Sequence, residues 1–123
     1  MTRNNAKGFT FIELLVVVAV LGVLAAVAIA QFDSYRQKGY DARANHDLRT
    51  AATAEEAYFA TTKSYVSGAL VTGFLPGFVL SATVSGTMTG TNNDHPTFSG
   101  TSTSVSGTGK TFTYDSAAGG MMN

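Results

Sequence analysis

The chain contains no cysteine and no tryptophan, and only two prolines, Pro76 and Pro96, in 123 residues. Without cysteine there is no disulfide framework, no thiol nucleophile and no thiolate metal site. Charge is also scarce. Charged residues make up 13% of the chain, eight basic against eight acidic, so the formal net charge is zero. That balance leaves no strong field to gather nucleic acid or acidic lipid. No Ser-His-Asp arrangement, paired-carboxylate cleft, phosphate loop or zinc spacing is present, so the sequence offers nothing for an enzyme reading. No cofactor, metal site or specific nucleic-acid site is expected.

What is present is unevenly distributed. Residues 1–8 are short and polar, with Arg3 and Lys7 and no acid. Phe9–Phe32 follows, apolar except for Thr10, Glu13, Gly22 and Gln31. The run Leu14–Ala30 reaches the lower end of the roughly 17–25 residues that cross a bilayer, and Phe9–Phe11 extend it. The basic flank puts the N-terminus on the cytoplasmic side and the rest of the chain outside.

Residues 33–60 have one glycine and no proline, and alanine recurs at 42, 44, 51, 52, 54, 57 and 60, which favours helix. Asp33 with Arg36 and Arg43 with Asp47 are spaced to pair on a helix surface. Ala44, Leu48, Ala51, Ala52, Tyr58 and Phe59 form a weak apolar face. One helix from about Phe9 to about Ala60 would be about 75 Å long at the usual rise. No small domain needs such a helix, so its first half must lie in lipid or among other subunits.

The composition changes at Thr61. Residues 81–110 hold eight Thr, six Ser and five Gly. Alternation predicts a strand with Leu80, Ala82 and Val84 on one face, and another with Phe112 and Tyr114 on one face. Gly86, Gly90, Asn92-Asn93, Gly100, Gly107 and Gly109 supply turns. The expected fold is α+β: a long N-terminal helix, half apolar and half amphipathic, packed on a small antiparallel sheet over 61–123. Its core is thin, comprising Val79, Leu80, Val84, Phe98, Phe112 and Tyr114, and alone it would be marginal.

A basic, then apolar N-terminus also describes a secretory signal, and Ala28-Ile29-Ala30 is an A-x-A site whose cleavage would leave Gln31 first. Against that stands Glu13. A carboxylate in an apolar span costs a few kcal/mol, about 2.5–3.5 on insertion scales, and such residues usually have a purpose. It also lies near the interface, so a snorkelling acid is a further option. Chemistry alone leaves secretion signal, simple anchor and a more specific device open.

Lys7-Gly8-Phe9-Thr10-Phe11-Ile12-Glu13-Leu14-Leu15 resembles the processing site of type IV prepilins. The resemblance continues through Val16–Phe32, with Gly22 and Gln31 at familiar positions, into Tyr35. Lys110–Gly119 is similar to the last strand of many pilins. It implies cleavage of a leader, residues 1–8, between Gly8 and Phe9 by a prepilin peptidase that then N-methylates Phe9. It implies polymerisation with identical subunits through the apolar helix, aided by inner-membrane assembly machinery, into an extracellular filament for adhesion, motility or DNA uptake. It further implies that Glu13 of one subunit pairs with the Phe9 amine of a neighbour and fixes the axial step; pairing with its own amine and the helix N-terminus is the local alternative.

Two features depart from the family pattern. Ala30 stands where a proline is usual, leaving Gly22 as the weak point of the helix, and no cysteine is present to close a C-terminal loop. A pseudopilin of type II secretion shares the same N-terminus and fold and is the near alternative. A secreted or anchored domain cut after Ala30 is the more distant one. The aromatics Phe9, Phe11, Phe32, Tyr35, Tyr40, Tyr58, Phe59 and Tyr65 resemble those of pilins proposed to conduct electrons; ordinary packing is the simpler reading. Loss of Arg3 and Lys7 with the leader would leave six basic against eight acidic groups, too mild an excess to imply a partner. The Ser/Thr-rich stretch is a solvent-facing, loop-rich surface that could carry glycans at no identifiable acceptor. His46 and His95 read as structural. Calcium near Asn92–Asp94 is conceivable, though the segment is poor in carboxylates.

Overall fold

The computed structural model describes residues 8–122. The leader residues 1–7, including Arg3 and Lys7, lie outside the described residues. One helix, α1 (Phe11–Thr62), is followed by five strands: β1 (Gly68–Ala69), β2 (Val84–Thr91), β3 (Thr97–Ser104), β4 (Thr111–Asp115) and β5 (Gly120–Met122). The α+β fold expected from the sequence is therefore present. The chain divides into two units, Met1–Ser34 and Tyr35–Asn123.

In the first unit, α1 is apolar on every side and every described residue is exposed. An all-round apolar helix belongs in lipid or in a core made by other chains. Gly22 sits within the helix, and a Cβ there would meet nothing. Ala28-Ile29-Ala30 is also helical.

In the second unit the sheet is a meander, ordered β1-β2-β3-β4-β5 with every pair antiparallel. Short turns join β2 to β5 in succession, a longer loop over residues 70–83 joins β1 to β2, and antiparallel neighbours need no crossover. Both edge strands are only two or three residues long, which limits unwanted pairing. The core side of β3 carries Phe98, Gly100, Ser102 and Ser104, every second residue as strand geometry requires. Small side chains there let α1 come close, where it presents Ala44, Leu48, Ala51 and Ala52, all buried. Ser102 Oγ donates to the Ala44 carbonyl at 2.7 Å, so the buried hydroxyl is satisfied.

Sequence alternation placed the first long strand too early. β2 begins at Val84, while Leu80 and Ala82 lie in the preceding loop. Val84, Phe98 and Phe112 are buried as expected, and Leu80 and Tyr114 are partly buried. Val79 is exposed. The core gains Tyr65, Leu70, Leu75, Phe78 and Met88. These come largely from the 63–83 loop, which folds over the helix and has no strand period to betray it. Thus the thin core is filled by irregular chain rather than by more sheet.

Candidate functional site: the head of the helix

Gly8, Phe9 and Thr10 precede α1, have no regular structure and are exposed. Thr10 and Glu13 then form a closed pair of contacts. The Thr10 N–H and Oγ1 both donate to Glu13 Oε2, at 2.8 and 2.9 Å. The Glu13 N–H donates back to Thr10 Oγ1 at 3.3 Å. This is a capping box, in which a hydroxyl and a carboxylate reciprocally satisfy the free N–H groups at the start of a helix. The negative carboxylate also suits the positive end of the helix dipole. Thr10 is a site residue beyond those expected from the sequence, and Thr-x-x-Glu before an apolar run is the signature that marks it. In the uncut chain the nitrogen of Phe9 is a peptide nitrogen, so Glu13 has no amine there to pair with. Its side chain is instead committed to Thr10.

Of the other aromatics singled out in the sequence, Phe59 and Tyr65 come together, stacked at 4.4 Å between ring centres. The row continues through Phe98, at 4.8 Å from Tyr65, to Tyr114, at 5.4 Å from Phe98. It ties the end of α1 to β3 and β4. Phe9, Phe11, Phe32 and Tyr35 are instead exposed, and Tyr58 is partly buried. Lys38 lies over the Tyr35 ring at 5.7 Å and Arg43 over Tyr40 at 5.2 Å. Thus Arg43 does not pair with Asp47.

Three acids of α1 turn inward. Asp47 accepts from the Ser81 N–H at 2.8 Å and Ser81 Oγ at 3.1 Å, with His46 Nδ1 at 3.6 Å. Asp41 accepts from the Thr108 N–H at 3.1 Å and Thr108 Oγ1 at 2.6 Å. Glu55, fully buried, accepts from the Val66 N–H at 3.1 Å through Oε2, while Oε1 has no partner. Burial raises the Glu55 carboxyl above its ordinary range, and the neighbouring Glu56 adds to the effect. Each acid fastens one loop to the helix. Their spacing on the face of Ala44, Leu48 and Ala51 was the signal, since residues three or four apart share a face. Asn92, once a conceivable calcium ligand, clamps Tyr65: Oδ1 accepts its N–H at 2.7 Å and Nδ2 donates to its carbonyl at 3.0 Å. His95 is exposed, and its N–H donates to Asn93 Oδ1.

The capped helix, apolar all round behind a short exposed head, falls in the part of the chain that a family model matches. The family described as "Prokaryotic N-terminal methylation motif" matches residues 3–29. Over about half of its length the chain is similar to proteins named as type IV pilins and fimbrial proteins. It is 37% identical over 70 residues to the type IV major pilin protein PilA of Myxococcus xanthus, covering 57% of this chain and 32% of that one. It is 43% identical over 63 residues to a fimbrial protein of Pseudomonas aeruginosa, covering 51% and 41%. It is 41% identical over 64 residues to the type IV wide pilus major component of Thermus thermophilus, covering 52% and 49%. The chain thus matches about a third to a half of the length of these relatives.

Proposed function

We propose that this chain is the structural subunit of a type IV pilus, polymerising through its N-terminal helix. The observation that carries the reading is the helical surface from Phe11 to Phe32, apolar all round and exposed, directly behind the capping box and the exposed Gly8-Phe9. The names of the relatives support it. The precursor sits in the inner membrane with Arg3 and Lys7 on the cytoplasmic side. A prepilin peptidase and N-methyltransferase cuts between Gly8 and Phe9 and methylates Phe9. Irregular, exposed backbone at that bond is the kind proteases reach, whereas Ala30 lies within a helix. This favours the first site over secretion-type cleavage after Ala30. The membrane assembly machinery then adds the subunit to identical copies, and the exposed filament serves adhesion, motility or DNA uptake.

Cleavage gives Phe9 a positive amine. In a dry filament core that charge and the Glu13 carboxylate are each costly unless paired. Glu13 then exchanges its hydrogen bonds to Thr10 for the amine of a neighbouring copy, which fixes the axial step. Apolar contact alone is non-directional and would not fix it.

Two variants separate the cap from the register role. Glu13→Gln retains a capping box, since Gln serves in that position as well as Glu, but removes the charge. Glu13→Ala removes both. With the register role, both variants give about tenfold fewer sheared fibres containing this chain, the scale of a lost charge pair. Wild-type fibre yield from Glu13→Gln would reduce Glu13 to a helix cap.

A further inference from the structure

The unit Tyr35–Asn123 carries six basic residues, Arg36, Lys38, Arg43, Arg49, Lys63 and Lys110, and six acidic ones, Asp41, Asp47, Glu55, Glu56, Asp94 and Asp115. The balance does not extend to its surface. Asp41, Asp47 and Glu55 are buried, whereas all six basic residues are exposed. Apart from Arg49, midway along this part of α1, the surface charges also sort by position. Arg36, Lys38 and Arg43 lie where α1 enters this unit, and the β3–β4 turn brings Lys110 to the same end. There Lys38, Asp41, Asn45 and Lys110 help line one shallow depression of about 440 Å³. Among the described residues of this unit the acid at this end is Asp41, taken up by Thr108, while Asp33 lies one turn before Arg36 on α1, just outside the unit.

The remaining acids gather where α1 ends. Glu56 accepts from the Tyr65 hydroxyl at 3.3 Å. Asp94 is in the β2–β3 turn, beside the Asn92 that clamps Tyr65. Asp115 closes β4 opposite Ser99, next to Phe98, whose ring meets Tyr65. Among the described residues, Lys63 is the one basic residue at this end. From residue 36 to residue 56 a helix rises about 30 Å, several times the screening length of about 8–10 Å in physiological salt. The two ends therefore act as separate patches rather than cancelling.

We propose that these ends are mating surfaces between successive copies: the basic end of one globular unit, Lys38, Arg43 and Lys110, meets the acidic end of the next, Glu56, Asp94 and Asp115. The inference rests on the filament reading above. The complement to the basic patch is carried by the same chain, at a different place, so the contact is head-to-tail, and where its rotation does not close into a ring it propagates. Such contacts generate open fibres. Exposed pairs are individually weak, but opposed patches of several charges align partners and penalise like-charge arrangements. The Glu13 contact sets the step among the buried helices, and the paired ends set how the globular units face each other.

The test is a charge exchange in cells making the full chain. Lys38→Glu with Arg43→Glu reverses the basic end, Asp94→Lys with Asp115→Lys reverses the acidic end, and the fourfold variant reverses both. Sheared fibre yield is read against the amount of processed subunit in the membrane. Each double reversal is expected to lower fibre yield about tenfold at unchanged subunit level, with the fourfold variant returning to within about twofold of wild type. Unchanged yield from the double reversals overturns the proposal. So does loss in the basic reversal that the fourfold variant fails to rescue, which would point to anionic lipid headgroups as the occupant. If a reversed chain does not accumulate, isolated wild-type fibres decide. They are expected to release subunits as salt rises from about 50 to about 500 mM, where the screening length shrinks severalfold; salt-insensitive fibres overturn the proposal. Absence of this chain from wild-type fibres would instead overturn the filament reading itself, and this inference with it.

Discussion

Glu55 is a full-length acid with no water contact and one oxygen without a partner. Burial raises its carboxyl pKa in the folded chain above that in the unfolded one. The linkage follows directly. The neutral form favours folding, its contribution is complete below the unfolded carboxylate's pKa, and it is lost as pH rises through the higher folded value. Around it stand Glu56, the Tyr65 phenol and, beyond that, Tyr114. The Tyr65 phenol is itself raised by burial and by Glu56, so it stays neutral across this range. Glu55→Gln keeps an acceptor for the Val66 N–H and cannot ionise. In detergent-held full-length chain, urea midpoints of wild type should fall relative to Glu55→Gln as pH rises from about 4 to about 8. Parallel pH profiles would mean that the acid is not held neutral. At Thr10 the Thr-x-x-Glu spacing makes the cap legible in the sequence, which gives Glu13 a local role beside the one the resemblance implies.

At the scale of elements, the sequence was most legible where one period ran unbroken. The long helix followed from an apolar run continued by alanine-rich residues without proline. Phe112 and Tyr114 announced β4. β3 was harder to see, because its core-facing residues after Phe98 are Gly100, Ser102 and Ser104, which no hydrophobic pattern marks. The 63–83 loop was illegible for the reason given by its packing: Leu70, Leu75 and Phe78 are core residues without regular spacing. The sheet edge and this loop meet at Gly90. Its N–H donates to Ser67 Oγ at 2.8 Å, and a Cβ there would lie 2.6 Å from Tyr65 Cβ and 2.9 Å from the Tyr65 carbonyl carbon. Gly90→Val should therefore push the Tyr65 strap off the sheet and cost about 1–3 kcal/mol by overpacking. Denaturant unfolding checks this, and an unchanged midpoint would show that the strap yields freely.

At the scale of the whole molecule, the chain is half subunit and half fold. The unit Tyr35–Asn123 has its own core, assembled without disulfides from small helix residues, a polar sheet face and acid-fastened loops. Among the described residues of the unit Met1–Ser34 none is buried, and an apolar surface of that kind is satisfied by lipid or by other copies. In the function proposed above, the same residues are a membrane span before cleavage and a filament core after it. The account turns on the bond between Gly8 and Phe9, and intact mass with N-terminal sequencing of the chain recovered from sheared surface fibres tests that bond most directly. The expected result is a chain beginning at Phe9 with one added methyl group on its amine. A chain beginning at Gln31, or one retaining Met1, would contradict it.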